Sequence, residues 1–217
     1  MANRLALFDC DGTLVDSQHT IFRCVEIAFA RAGLPSPGRV AARRVVGLSL
    51  LPAMRMLAPG VHADLHVQLT EDYKAAFQKM RGDGLVDEPL FDGIVDALDS
   101  LEADGWILGV ATGKSDRGLD LCLRHHGLRE RFVTLQTADR HPSKPHPSMA
   151  HQAMAEAGAS PETTVMIGDT SFDMVMGVAA GARAIGVDWG YHPGEELLAA
   201  GASQIVSHAR ELREAMQ

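Results

Sequence analysis

Asp9 and Asp11 stand one residue apart in Phe8-Asp9-Cys10-Asp11-Gly12-Thr13, directly after the apolar run Leu5-Ala6-Leu7. An apolar segment that breaks straight into acid, glycine and threonine reads as a buried strand ending in a functional loop. In open α/β sheets ligands bind just beyond the carboxyl ends of the strands, so this pair is placed for chemistry. Three further segments offer matching groups: Ala111-Thr112-Gly113-Lys114-Ser115, Ser143-Lys144-Pro145-His146-Pro147 and Gly168-Asp169-Thr170-Ser171-Phe172-Asp173. Carboxylates crowded at one site repel by about 4 kcal/mol per close pair at an effective dielectric near 20. Such a cluster calls for a cation, and magnesium suits a site of few carboxylates, waters and phosphate oxygens. A carboxylate can attack phosphorus to give an aspartyl phosphate. The transferred group carries spread negative charge, which Lys144, Thr112 and the amide of Gly113 are suited to meet. A second carboxyl must protonate the leaving oxygen and then activate water, and Asp11 is near enough to do both.

The elements that position these residues are legible from periodicity. Short apolar runs at 5–9, 107–112, 132–137, 164–169 and 184–187, with a weaker one at 204–207, alternate with segments of helical period such as Ile94, Ala97, Leu98 and Leu101. That alternation predicts βαβ units and a Rossmann-like α/β core with a parallel sheet. From Ser17 to Leu85 no strand pattern appears; Ile21, Val25 and Phe29, and then Leu65, Leu69, Tyr73 and Phe77, recur at helical spacing. The expected organisation is a core of residues 1–16 and 86–217 with an α-helical cap, 17–85, inserted after the first strand. The loop around Val46-Gly47-Leu48-Ser49 then joins two cap helices and faces the substrate, with Gly47 among the substrate-contacting residues.

Composition narrows the function classes. The 217 residues carry a formal net charge of −8, which argues against a nucleic-acid partner. No apolar stretch reaches the roughly 18 residues of a membrane helix, and no secretory signal pattern opens the chain. The three cysteines, Cys10, Cys24 and Cys122, are widely spaced, which fits a reducing cytoplasm. The ten histidines show no zinc-type spacing; His19, His141 and His146 read as solvated or locally bonded. Gly113-Lys114-Ser115 is not a P-loop, because position 108 is leucine where that motif needs glycine. Cys10 is no cysteine-phosphatase nucleophile, since position 16 is aspartate rather than arginine, and it reads as a packed small hydrophobe. Arg43 and Arg44 lie in the cap, where a solvated helix face is the first reading and contact with a substrate the second.

Taken in order, Asp9-Cys10-Asp11-Gly12-Thr13, Thr112, Lys144-Pro145 and Gly168-Asp169 through Asp173 resemble the four motifs of the haloacid dehalogenase superfamily, in its phosphoglycolate-phosphatase-like branch with a helical cap. The resemblance spans essentially the whole chain. It implies a magnesium-dependent phosphatase acting on a small phosphorylated metabolite, with Asp9 as nucleophile and Asp11 as general acid/base. It implies that Thr112 and Lys144 hold the phosphoryl group. It also implies that Asp9, Asp169 and the backbone carbonyl of Asp11 ligate magnesium while Asp173 supports the metal site. Asp11 disfavours dehalogenation, Ile21 stands where related mutases carry a hinge histidine, and Lys74 and Lys79 lie too late in the cap for Schiff-base chemistry. Pyrophosphatase or phosphosugar mutase activity, or a phosphoryl-accepting signalling module, are the alternatives. A monomer and a homodimer are both compatible with the sequence.

Overall fold

A computed structural model describes residues 3–217. Strand β1 (Asn3–Phe8) is followed by four helices, α1 (Gln18–Arg31), α2 (Gly38–Arg44), α3 (Leu50–Leu57) and α4 (Ala63–Gly82). The chain then alternates: α5 (Ile94–Ala103), β2 (Trp106–Ala111), α6 (Asp116–His125), β3 (Phe132–Gln136), α7 (Ser148–Ala157), β4 (Ala159–Gly168), α8 (Ser171–Ala179), β5 (Arg183–Val187), α9 (Gly194–Ala199), β6 (Gln204–Val206) and α10 (Leu212–Ala215). The six strands form one parallel sheet in the order β3-β2-β1-β4-β5-β6. The order runs outward in both directions from β1 and β4, so the crevice between their carboxyl ends is the topological switch point.

The sheet is buried on both faces, and alternate residues of one strand go to opposite cores. Ala6 and Phe8 join Leu98, Leu101 and Leu119 of α5 and α6, whereas Leu5 and Leu7 pack with Met149, Ala153 and Met174 of α7 and α8. That two-sided burial is why β1 reads as a continuous apolar run rather than an alternating one. Strand β4 begins five residues earlier than the apolar pattern predicts, at Ala159, because its first half is only partly buried and carries polar residues.

The four helices between Gln18 and Gly82 have an apolar core of their own, with Cys24, Val25, Phe29, Met54, Leu69 and Tyr73 at its centre. The two chain crossings that join this unit to the sheet run side by side: Val15 bridges Leu90, Asp16 N donates to the Pro89 carbonyl at 2.8 Å, and Phe91 N donates to the Leu14 carbonyl at 3.1 Å. No helix among the described residues is long and apolar enough to cross a membrane.

Candidate active site

The parallel register fixes which loops meet. Phe8 lies opposite Val110 of β2 and Ile167 of β4, so Asp9–Asp11, Ala111–Gly113 and Gly168–Thr170 leave the sheet at one height, side by side. Asp9, Asp169 and Asp173 each present a carboxylate oxygen within 4.8 Å of the others, and all three residues are buried. Lys144, delivered from the loop between β3 and α7, sits between two of them. Its Nζ is 2.8 Å from Asp9 Oδ1 and donates to Asp173 Oδ1 at 2.6 Å.

Each acid is held differently. Asp169 Oδ1 accepts from the Thr13 hydroxyl at 2.8 Å and Oδ2 from the Tyr191 amide at 2.9 Å. Asp173 has both oxygens committed, Oδ1 to Lys144 and Oδ2 to Thr170, whose hydroxyl donates at 2.6 Å and whose amide donates at 3.1 Å, the amide contact capping α8. Asp9 is the exception. Apart from the Lys144 ammonium beside Oδ1, neither of its buried oxygens has a hydrogen-bond partner. Gly12 permits this packing: it has φ +90°, and a Cβ there would lie 2.1 Å from Asp169 Oδ2.

Burial dominates the electrostatics. It pushes the Asp9 carboxyl up to about 7; Lys144 opposes the rise, and the charges of Asp173 and Asp11 add to it. Burial, then the neighbouring Asp9 and Asp173, push the Asp169 carboxyl well above the ordinary range. Burial works against the Lys144 ammonium, yet Asp173 and Asp9 outweigh it and hold the group charged. Counting Asp11, Glu88, Lys114 and Arg81 with these groups, five carboxylates face three cationic side chains. An excess of two buried negative charges and an acid with unpartnered oxygens fit a divalent, oxygen-binding cation such as magnesium. Asp9 and Asp169 are the residues with capacity to bind it directly, and Asp173 is turned toward Lys144 and Thr170.

The other sequence-predicted residues fall as follows. Thr112 is buried; its amide donates to the Gln136 carbonyl at 2.9 Å and its hydroxyl accepts from the Lys114 amide at 3.2 Å. Asp11 turns its side chain away from the acidic trio toward Ser17 and Lys114, leaving only its backbone for the metal role the resemblance implies. Gly47 and Gly113 meet: a Cβ on Gly113 would stand 2.6 Å from the Leu48 carbonyl oxygen and 2.9 Å from that of Gly47. The Ser49 amide donates to Ser143 Oγ at 2.9 Å, so the 46–49 loop is docked onto the core loops. Arg43 and Arg44 are exposed, as a solvated cap face would be, and both also reach the core: Arg43 donates to the Gly190 carbonyl in the loop after β5, and Arg44 pairs with Glu196 of α9 at 2.7 Å. Cys10 packs in the core beneath the site, and His141 bonds Ser148 and Gln136 locally. Two contributors escape the sequence reading. Lys114 is buried against Asp11 and Glu88, and the loop carrying Tyr191 and His192 binds Asp169 and Ser171. For Lys114 the one signal was its place three residues beyond the end of β2, the strand beside β1 and Asp11; for Tyr191 there was none.

A surface cavity of about 430 Å³ between Asp116 and Glu156 at the β3 edge includes none of the switch-point acids. The acidic cluster lies at the switch point instead.

A doubly wound sheet with a buried carboxylate–lysine cluster at its switch point, covered by a helical unit, defines an α/β enzyme built for group transfer. The chain belongs to the haloacid dehalogenase-like hydrolase family, which it matches over residues 6–187. It is 37% identical to the "Probable phosphatase IndB" of Dickeya dadantii, covering 93% of this chain and 88% of that protein. It is 32% identical to the "Tyrosine-protein kinase PtkA" of Mycobacterium tuberculosis, covering 98% of this chain and 72% of that one. Among solved structures, a predicted phosphatase from Clostridium acetobutylicum superposes with a TM-score of 0.88 at 27% identity, covering 100% of this chain and 99% of that chain. The chain is thus a phosphatase-type enzyme of this family.

Proposed function

We propose that the protein is a magnesium-dependent hydrolase of small organic phosphate monoesters, phosphoglycolate-like or sugar phosphates, working through an aspartyl phosphate on Asp9. The single observation that carries the reading is Asp9 itself: a buried carboxylate with unpartnered oxygens, beside one lysine and two further acids. In the first step an Asp9 oxygen forms a bond to phosphorus while the ester P–O bond breaks, and Asp11 gives its proton to the departing oxygen. In the second step Asp11 takes a proton from water, whose oxygen attacks phosphorus; the Asp9–phosphorus bond breaks and phosphate leaves. Lys144, Thr112 and the Gly113 amide bind and orient the phosphoryl oxygens. Asp9, Asp169 and the Asp11 carbonyl would hold magnesium, with Asp173 in support, and the ion would supply charge stabilisation for the transferred group.

In this reading residues 17–85 form a cap, hinged where Val15 meets Leu90, and Gly47 closes over the ester. The docked 46–49 loop and the Arg43 and Arg44 contacts support a lid that excludes bulk water. The same covering favours a small substrate over the side chain of a folded protein, the kind of acceptor a tyrosine kinase would need. Three unpaired, buried cysteines fit a reducing cytoplasm. The test is phosphate release from p-nitrophenyl phosphate and a panel of small esters, with magnesium and with chelator. Release that needs the metal supports the reading and the preferred ester names the substrate; no release from any ester by folded, metal-loaded protein overturns it.

A further inference from the structure

The phosphoryl-transfer reading leaves one buried cation without a task. Lys114 follows Thr112 and Gly113 at the end of β2, yet its ammonium is not paired with the Asp9–Asp169–Asp173 group. Its Nζ stands 2.9 Å from Asp11 Oδ1 and donates to Glu88 Oε1 at 2.6 Å. Glu88 is itself anchored: Oε2 accepts from Arg81 of α4 at 2.9 Å, and its carbonyl lies 2.8 Å from His126 Nε2. The Phe77 ring of α4 lies near the lysine, its centroid 5.7 Å from Nζ. The side chains of Lys114 and Glu88 are only 8% and 5% exposed.

Burying such charges costs several kcal/mol per ion before pairing, and apolar residues often serve stability as well. The network is therefore best understood by what it holds in place, and that is Asp11. Asp11 Oδ1 is engaged twice, by the Lys114 ammonium and by the Ser17 hydroxyl. No hydrogen bond engages Oδ2 among the described residues, so the carboxylate is gripped on one side only.

We propose that Lys114, anchored by Glu88, is a positioning residue for Asp11, pinning Oδ1 so that Oδ2 exchanges the proton with the leaving group and then with water. The inference rests on the phosphatase reading and adds a residue to it. Glu88 neutralises the lysine, so Lys114 orients Asp11 without adding net charge, and Arg81 makes that orientation depend on the α4 end of the cap.

A general acid matters for a poor leaving group and little for a good one, which separates positioning from a structural role. The experiment compares kcat/KM on p-nitrophenyl phosphate with kcat/KM on an alkyl phosphate that the wild-type protein hydrolyses. This ratio covers only the steps up to release of the alcohol, so later hydrolysis of the intermediate does not enter. Lys114→Met is expected to lose about 10- to 100-fold on the alkyl ester and under about 3-fold on p-nitrophenyl phosphate, by the usual size of general-acid effects. Asp11→Asn sets the full split, and the double variant should lose no more than Asp11→Asn alone. Lys114→Arg should restore part of the loss. Glu88→Gln, which keeps the lysine and removes its anchor, reads the same split should Lys114→Met fail to fold. Equal losses on both esters, or no loss on either, in folded protein overturn the inference. If Asp11→Asn itself shows no split, the acid role assigned to Asp11 falls and the role of Lys114 with it; if it does and the Lys114 and Glu88 variants do not, the role of Lys114 alone falls.

Discussion

Asp9 is fully buried, with one lysine beside it and no hydrogen bond to either oxygen, an arrangement that disfavours the folded protein until a cation is present. Asp9→Asn keeps the shape and removes the charge. It is expected to cut kcat by at least about 10³-fold, since the nucleophile is lost. The same change should raise the melting temperature of metal-free protein, by an amount on the order of 1–3 kcal/mol in stability. Calorimetry of both proteins in chelator checks the sign; a lower Tm for the variant would mean that the Lys144 pair outweighs the cost of burying the Asp9 charge. At this scale the sequence carried much of the site. Asp9, Asp169 and Lys144 lie at strand ends or in the loops that follow, Asp173 lies in the first turn of α8, and a parallel sheet brings those ends together. The pairing of Lys114 was not legible, because its partners Asp11 and Glu88 are 103 and 26 residues away and only tertiary packing joins them.

At the scale of elements, the 46–49 loop and the two crossings between helical unit and sheet decide how the site is covered. Gly113→Ala would drive a methyl group into the Leu48 carbonyl, and the loop would have to lift. A displacement near 1 Å at a reacting site costs about 100-fold, so kcat/KM for a small ester should fall about 10- to 100-fold. Circular dichroism should stay native, and unchanged kinetics would mean that the loop does not contribute to the substrate complex. The joint carries its own pH signature. Burial pushes the Glu88 carboxyl up, but Lys114 and then Arg81 outweigh it and hold it below the ordinary value of 4.5. The stability this pair contributes is therefore present above pH 4.5 and is lost as the pH falls below it. Glu88→Gln should flatten the acid limb of Tm against pH relative to wild type; two superimposable limbs would show that the pair contributes nothing. Periodicity gave α1 and α4, whose stripes run for several turns. Helices α2 and α3 were harder to read: seven and eight residues long, the first with three arginines and the second with Pro52 near its start, they are too short for a stripe to stand out.

Over the whole molecule, two apolar cores clamp the sheet and a third holds the four-helix unit, so the fold is secured away from the charged crevice. That separation lets the site keep a repulsive cluster that a ligand relieves. Magnesium should raise the Tm of the whole protein, by about 2.7 kcal/mol in stability at a hundred times its dissociation constant, and chelator should reverse the rise. No rise, measured at saturating magnesium, would contradict the charge argument. Strand order at this scale was not readable from the chain: alternation predicts a parallel sheet, but which strands are neighbours depends on how the crossovers pack. The most direct test of the central claim is mass spectrometry of protein quenched in acid during steady turnover with magnesium and then reduced with borohydride, which converts an aspartyl phosphate to homoserine. The account predicts homoserine at position 9 and nowhere else, only when ester and magnesium are both present. Modification at another residue, or turnover that proceeds with no covalent mark on the protein, would contradict it.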